Sequence, residues 1–77
     1  MTREQKIYEL TRSGELTDLY KLGLVDYKLL MYRDIYYDYQ KEITVNRKKK
    51  LEAARIVAER FRVNLSTVYR AKKFLTT

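Results

Sequence analysis

Most of the charged side chains of this chain are the cations of Lys and Arg. Its 77 residues include 17 Lys and Arg against 10 Asp and Glu, a net charge of +7 at pH 7. Cys and His are both absent, which removes disulfides, thiolate metal ligands and the usual general base. The remaining guanidinium and ammonium groups attract anions and donate hydrogen bonds to them. These residue types predict binding to a polyanion, with no catalytic residue, no metal site and no cofactor.

The positive charge is confined to the last third of the chain. Residues 1–45 carry seven Lys and Arg against eight Asp and Glu, a net charge of −1. Residues 46–77 carry ten Lys and Arg against Glu52 and Glu59, a net charge of +8. Such segregation favours a docking face at one end over basicity that serves only solubility, although chance bias in a short chain is the alternative.

The length predicts a single domain over residues 1–77, with a helical supporting part over 1–45 and a basic part over 46–77. A catalytic domain with a small-molecule cleft needs a larger scaffold, so we do not expect an enzyme or a small-molecule substrate. No apolar run reaches the ~20 residues that a membrane span requires, and residues 1–6 lack a signal-peptide core. We therefore expect a cytoplasmic protein without a membrane partner.

The composition predicts an all-α fold of five helices in one small bundle. Pro is absent and Gly occurs only twice, so the chain has few helix breakers. The first helix is expected over residues 3–12, with Thr2 and Gln5 as a capping box, and Gly14 is expected to end it. The second is expected over residues 15–22, with Gly23 as a left-handed cap. Three leucines at three-residue steps are expected to face inward from the second helix: Leu16, Leu19 and Leu22.

The third helix, expected over residues 26–42 after an Asp26 cap, carries a stripe of apolar residues at steps of three and four. The stripe consists of Val25, Leu29, Tyr32, Tyr36, Tyr39 and Ile43. Tyrosines at this spacing are typical of a core, and a platform for stacking bases is the alternative. The neighbouring Asp34 and Asp38 repel phosphates, which favours the core. Met31, Ile35 and Tyr37 lie off the stripe, where we expect them to face a second chain, as in a homodimer through this Tyr-rich helix.

The C-terminal part has the pattern of a helix-turn-helix. Such a motif needs a small residue facing its partner helix, an apolar plug in the turn, and a capped second helix with inward β-branched residues. Ala58 is the small residue, Val63 is the apolar plug, and Asn64 is the cap of the second helix. The residues expected to face inward around them are Val57, Phe61, Val68, Ala71, Phe74 and Leu75.

The run from Ile56 to Arg70 resembles the helix-turn-helix of serine resolvases and DNA invertases, and of many transposases and small bacterial or phage regulators. Its most specific part is Ser66-Thr67-Val68-Tyr69-Arg70, and the resemblance covers only about residues 51–75. It implies that five residues face the major groove of double-stranded DNA: Leu65, Ser66, Tyr69, Arg70 and Lys73. Helical geometry independently places the last four on the outer face if Val68, Ala71 and Leu75 point inward. Arg70 is the best candidate to read a guanine.

Other residues are expected to contact phosphates. Arg62 stands where that group usually has Gly, and a positive φ there costs roughly 1 kcal/mol unless the turn is built differently. A phosphate contact by Arg62 would offset that cost. Thr67 is a short donor at the start of the second helix. The run Arg47-Lys48-Lys49-Lys50 is expected to open the fourth helix, capped by Asn46, as a set of phosphate clamps; a solvated helix start is the alternative.

The sequence therefore predicts sequence-specific binding of double-stranded DNA by a small transcriptional regulator, or by an accessory factor of recombination or of a mobile element, associated with the nucleoid. The alternative is a module that binds protein or RNA through the Tyr-rich helix and the basic C-terminal helices. Salt dependence and substrate preference separate the two functions.

Overall fold

A computed structural model describes residues 2–76, which form five α-helices and, within that range, no β-strand. The helices are α1 (Arg3–Ser13), α2 (Glu15–Lys21), α3 (Tyr27–Thr44), α4 (Lys50–Phe61) and α5 (Leu65–Thr76). Helix α3 packs against both α4 and α5, while α1 packs against α2 and reaches α5. The predicted all-α fold of five helices is confirmed. None of the helices in residues 2–76 is both long and apolar enough to cross a membrane.

The first helix begins and ends as local sequence signals predict. The Thr2 amide donates to Gln5 Oε1 at 3.0 Å, and the Gln5 amide donates to Thr2 Oγ1 at 3.2 Å, which is the predicted capping box. Gly14 has a φ of 82°, in the left-handed region that Gly adopts readily. The same residue ends α1 and begins α2, so the two helices are joined without a loop.

Helix α2 buries only part of the leucine face that we predicted. Leu16 is buried and Leu19 is half-buried, but Leu22 is exposed. The inward placement of Leu22 is wrong, because α2 ends at Lys21 and because steps of three residues fall short of a full helical turn. Two such steps carry Leu22 about a third of a turn away from Leu16.

The tyrosine stripe of α3 is a core, as predicted. Tyr32, Tyr36 and Tyr39 expose 8%, 3% and 1% of their surface, which removes them from any base-stacking role. Ile35 was expected to face a second chain, and this is wrong, since it is 0% exposed. Met31 and Tyr37 also pack against the chain's own core. Several helices cover α3, so the buried sector of α3 is wider than one stripe.

The connector between α3 and α4 differs from the prediction. Helix α3 continues to Thr44, and α4 begins only at Lys50, after Lys49 as its N-cap. Asn46 is therefore not the cap; its side chain lies near Glu42 instead, where it lowers the pKa of that carboxyl. Arg47 has a φ of 54°, and this left-handed residue turns the chain toward α4. The basic run thus lies mainly in the connector, and only Lys50 belongs to the helix.

Candidate nucleic-acid interface

Helices α4 and α5, which we call the C-terminal helix pair, approach each other and α3 through small side chains. Ala53, Ala54, Ala58 and Ala71 are 0%, 0%, 7% and 0% exposed. The sequence pattern identified Ala58 and Ala71 but missed Ala53 and Ala54, although all four belong to the same core cluster. A helix surface of alanines allows close interhelical packing, which holds α5 firmly against the rest of the fold.

A three-residue turn joins α4 to α5. Arg62 adopts φ 56° and ψ 44°, so the predicted positive φ at this residue is confirmed. The Val63 amide donates to the Ala58 carbonyl at 2.9 Å, and the Arg62 amide donates to the Glu59 carbonyl at 3.2 Å, a Schellman motif that fixes the direction of the chain. Val63 packs on the core as the predicted plug. Asn64 directly precedes α5, and its carbonyl accepts the Thr67 amide at 2.9 Å.

One face of α5 is exposed and the opposite face is buried. Val68, Ala71 and Leu75 expose 1%, 0% and 0% of their surface, so these predicted inward residues are confirmed. The exposed residues are Ser66, Tyr69, Arg70, Lys73 and, at the end of the helix, Thr76. The first four are the residues that helical geometry placed on the outer face; their contact with DNA stays a prediction.

Two further residues predicted to contact DNA are only half-exposed. Leu65 packs against the core cluster, because it lies one turn before Val68 on the same side of α5. Less of its side chain is therefore available for a groove than the resemblance implies. Thr67 is also half-buried, at the first turn of α5 where backbone amides are unsatisfied within the helix.

The basic run lies at the opposite end of α4 from the turn. All four residues from Arg47 to Lys50 are exposed. Lys48 Nζ lies 3.5 Å from Glu52 Oε1, a surface pair worth at most about 1 kcal/mol. Since α4 has 12 residues, its length of about 18 Å separates this run from Arg62. The cations therefore form two groups rather than one patch.

An ion-pair network that the sequence analysis missed ties α4 to α3. Arg60 Nη1 donates to both carboxylate oxygens of Asp38 at 2.7 and 2.6 Å, and Nη2 donates to Glu42 Oε1 at 3.1 Å. Glu42 is only 4% exposed. Two acids four residues apart on one helix could have indicated a shared cation. Arg60 is thus occupied by the fold, unlike Arg70 on the α5 face, which has no ion-pair partner among residues 2–76.

The network shifts the pKa values of Glu42 and Arg60. The pKa of Glu42 is lowered, first by the side-chain hydrogen bond from Asn46 and then by the Arg60 guanidinium, against the opposing effect of burial. The hydrogen bonds to Asp38 and Glu42 raise the pKa of Arg60. Both shifts favour the charged forms, so Glu42 and Arg60 stay ionised at neutral pH.

Several cations of the basic part are left without an ion-pair partner among residues 2–76. They are Arg47, Lys49, Lys50, Arg55, Arg62 and Arg70. Arg55, exposed on α4, was not among the predicted site residues. Unpaired cations in this part of the chain create a positive field that attracts anions.

These features define a class of protein: an all-helical fold with a basic C-terminal helix pair that presents one polar face of its last helix. No family model, curated protein or solved structure matches this chain. The assignment of a function therefore depends on the geometry and charge of the chain itself.

Proposed function

We propose that this protein binds double-stranded DNA in a sequence-specific manner, with α4 and α5 acting as a helix-turn-helix and α5 as the recognition helix. The observation that carries the proposal is the polar face of α5, where Ser66, Tyr69, Arg70 and Lys73 are exposed on a helix whose other face is buried. A regulator of transcription, or an accessory factor of recombination or of a mobile element, would use such a face.

The dimensions of α5 support the proposal. A helix with its side chains is about 10–12 Å in diameter, and the major groove of B-DNA is about 12 Å wide. The 12 residues of α5 span about 18 Å. Arg70 is in the middle of the helix, where its planar guanidinium can bond to both acceptors of a guanine. Ser66 and Tyr69 offer shorter hydroxyl donors for base edges or phosphates.

The distribution of cations supports separate contacts to the DNA backbone. In a docked helix-turn-helix the first helix crosses the sugar-phosphate backbone. The exposed run from Arg47 to Lys50 before α4 and the exposed Arg62 after it lie at the two ends of that helix. We assign both groups, with Thr67, to phosphate contacts, which position the protein without reading the sequence.

The aromatic stripe bears on the alternative function, binding of RNA or protein through the Tyr-rich helix. Tyr32, Tyr36 and Tyr39 are all below a tenth exposed, so these rings cannot stack on bases. The basic C-terminal helices could contact the partner in either function, whether that partner is double-stranded DNA or is RNA or protein. Competition with single-stranded and double-stranded RNA distinguishes them in the same assay.

The test begins with selection of binding sites from random duplexes, followed by fluorescence anisotropy on the selected site and on an unrelated duplex. We expect Arg70→Ala to lose roughly 1–3 kcal/mol of discrimination between the two duplexes. Lys49→Ala is expected to weaken binding to both duplexes about equally and to reduce the salt slope by about 1.

Arg12→Ala is the matched control, since Arg12 is an exposed arginine on α1 outside the C-terminal helix pair. It removes the same charge as Arg70→Ala and should leave the discrimination unchanged. If the wild-type protein binds no duplex at low salt, or if RNA competes better than DNA, the proposal is wrong.

A further inference from the structure

Four large apolar side chains are exposed together where α2 leads into α3. Tyr20, Leu22, Leu24 and Tyr27 expose 42%, 72%, 71% and 63% of their surface. We call these four residues the corner patch. Single exposed apolar residues are ordinary, but a cluster of this kind marks a surface that meets a partner.

The backbone holds the corner patch in place. Gly23 has a φ of 76°; its amide donates to the Tyr20 carbonyl at 3.0 Å, and the Leu24 amide donates to the Leu19 carbonyl at 2.9 Å. The ring centroids of Tyr20 and Tyr27 are 6.4 Å apart. The two leucines on either side of Gly23 are therefore presented by a hydrogen-bonded turn, and little ordering would be needed when a partner covers them.

A small groove adjoins the corner patch. It has a volume of about 230 Å³ and is lined by Asp26, Lys28, Leu29, Tyr32 and Phe74. The rings of Tyr32 and Phe74 form an apolar part of its wall, with centroids 5.7 Å apart. Pockets for small molecules usually measure about 300–1,000 Å³. The groove is smaller than that and suits an apolar side chain of another protein surface.

The charges around the corner patch balance one another. Residues 18–28 contain two Asp and two Lys, a net charge of zero in a molecule of +7. The four charged residues, all exposed, are Asp18, Lys21, Asp26 and Lys28. Two copies that met through residues 46–77 would bring two faces of +8 together, whereas this surface, even with Arg3 over the Phe74 ring, carries far less net charge.

A twofold interface brings the same surface of each copy against itself, so that surface must be self-complementary. The corner patch and its surroundings fulfil this condition in two ways. Exposed leucines lie next to an apolar groove that could receive the leucines of another copy, and carboxylates lie next to ammonium groups that could pair with those of another copy. A different partner protein would need this surface to offer only the leucines or only the groove, and only carboxylates or only ammonium groups. This combination favours a second copy of the chain as the occupant.

We propose that two copies of this chain associate through their corner patches around a twofold axis, with the leucines of each copy packed into the groove of the other. The inference goes beyond DNA binding and does not depend on it. It replaces the predicted dimer contact through Met31, Ile35 and Tyr37, because Ile35 is buried and the other two pack against the core. The corner lies beside Phe74 near the end of α5, so the contact leaves the first turns of α5 free.

Sedimentation equilibrium across a range of protein concentrations tests the association. The double substitution Leu22→Asp with Leu24→Asp should raise the dimer dissociation constant by roughly tenfold or more. Val45→Asp is the matched control, because Val45 is also 65% exposed but lies at the opposite end of α3; it should have no effect. Circular dichroism is expected to show native helix content in both variants, since the substituted side chains are exposed.

Charge reversal tests the twofold geometry. Lys21→Glu with Lys28→Glu makes the corner acidic, and Asp18→Lys with Asp26→Lys makes it basic. Each variant alone should dimerise more weakly than the wild type, and their mixture should form heterodimers that native mass spectrometry detects. A wild-type protein that stays monomeric up to about 1 mM overturns the proposal, and so does a mixture in which heterodimers are no more abundant than homodimers.

Discussion

Two tyrosines on α3 have the same burial but different hydrogen bonding. Tyr36 Oη accepts a hydrogen bond from Gln40 Nε2 at 2.7 Å. The hydroxyl of Tyr39 is buried and has no hydrogen-bond partner among residues 2–76. Burial raises the pKa of both phenols. A buried hydroxyl without a partner destabilises the folded state relative to a phenyl ring of the same shape.

The first prediction follows from this difference. Tyr39→Phe removes the unpartnered hydroxyl and should raise the free energy of unfolding by about 1 kcal/mol. Tyr36→Phe removes the bond to Gln40 and should lower it by about 0.5–1.5 kcal/mol. Urea unfolding followed by circular dichroism measures both values. Shifts of the same sign in the two variants would contradict the assignment.

At the scale of elements, arginines in the left-handed region bracket α4. Arg47 before the helix has a φ of 54° and Arg62 after it has a φ of 56°. A left-handed backbone costs a residue other than Gly about 1–2 kcal/mol. The chain accepts this cost on both sides of the helix to which we assign the phosphate contacts. Their side chains offer a reason, since Gly in either place would relieve the strain and remove a cation.

The second prediction concerns that strain. Arg62→Gly should raise the free energy of unfolding by about 0.5–1 kcal/mol, since Gly adopts this φ readily but gains freedom in the unfolded chain. In a domain of this size, that corresponds to a rise of a few degrees in Tm. Thermal and urea unfolding measure the change.

Arg62→Ala is the control for this prediction, because it removes the cation and keeps a Cβ. No gain in stability is expected from it. Both variants should weaken DNA binding by the same factor if the guanidinium holds a phosphate. A stabilised Arg62→Ala protein would show that the charge of Arg62, and not its backbone, destabilises the turn.

At the scale of the whole molecule, α3 carries a carboxyl and three phenols whose pKa values the fold shifts. Glu42, near the end of this helix, has its pKa lowered from 4.5 by Asn46 and Arg60. Tyr36, Tyr37 and Tyr39 have their pKa values raised from 10.0, mainly by burial. Because other helices pack around α3, protonation of Glu42 at acid pH and ionisation of the tyrosines at alkaline pH both destabilise the core.

The third prediction is that the free energy of unfolding is constant around neutral pH and falls at both acid and alkaline pH. We call these two falls the acid limb and the alkaline limb. A lowered carboxyl pKa contributes stability that is present above pH 4.5 and is lost as the pH falls through the folded value. A raised phenol pKa contributes stability that is present below pH 10.0 and is lost as the pH rises above it. Urea unfolding at a series of pH values measures both limbs.

Matched variants separate the two limbs. Glu42→Gln should flatten the acid limb and leave the alkaline limb unchanged. Tyr39→Phe should make the alkaline limb shallower and leave the acid limb unchanged. An acid limb of the same steepness in Glu42→Gln would mean that other carboxylates dominate.

Features set by neighbouring residues were predictable from the sequence. The capping box at Thr2, the left-handed Gly14 and Gly23, and the positive φ of Arg62 each depend on interactions within a few residues. The exposed face of α5 was also predictable, since the inward side of a helix follows from its apolar spacing. Features that depend on distant partners were missed. The pairing of Arg60 with Asp38 spans 22 residues, and no local pattern specifies it.

The sequence by itself determined the charge pattern of this protein: a helical part with a net charge of −1 joined to a basic part of +8, with a polar face expected on the last helix. The tertiary structure decided which cations are left to bind an anion. It placed Arg60 against Asp38 and Glu42 and left Arg70 and Arg62 without ion pairs among residues 2–76. It also turned Ile35 into the core and left Leu22 on the surface. The physical reason is that the spacing of residues along a helix fixes only which of them lie on the same face of that helix. Whether that face is buried depends on which other helices pack against it.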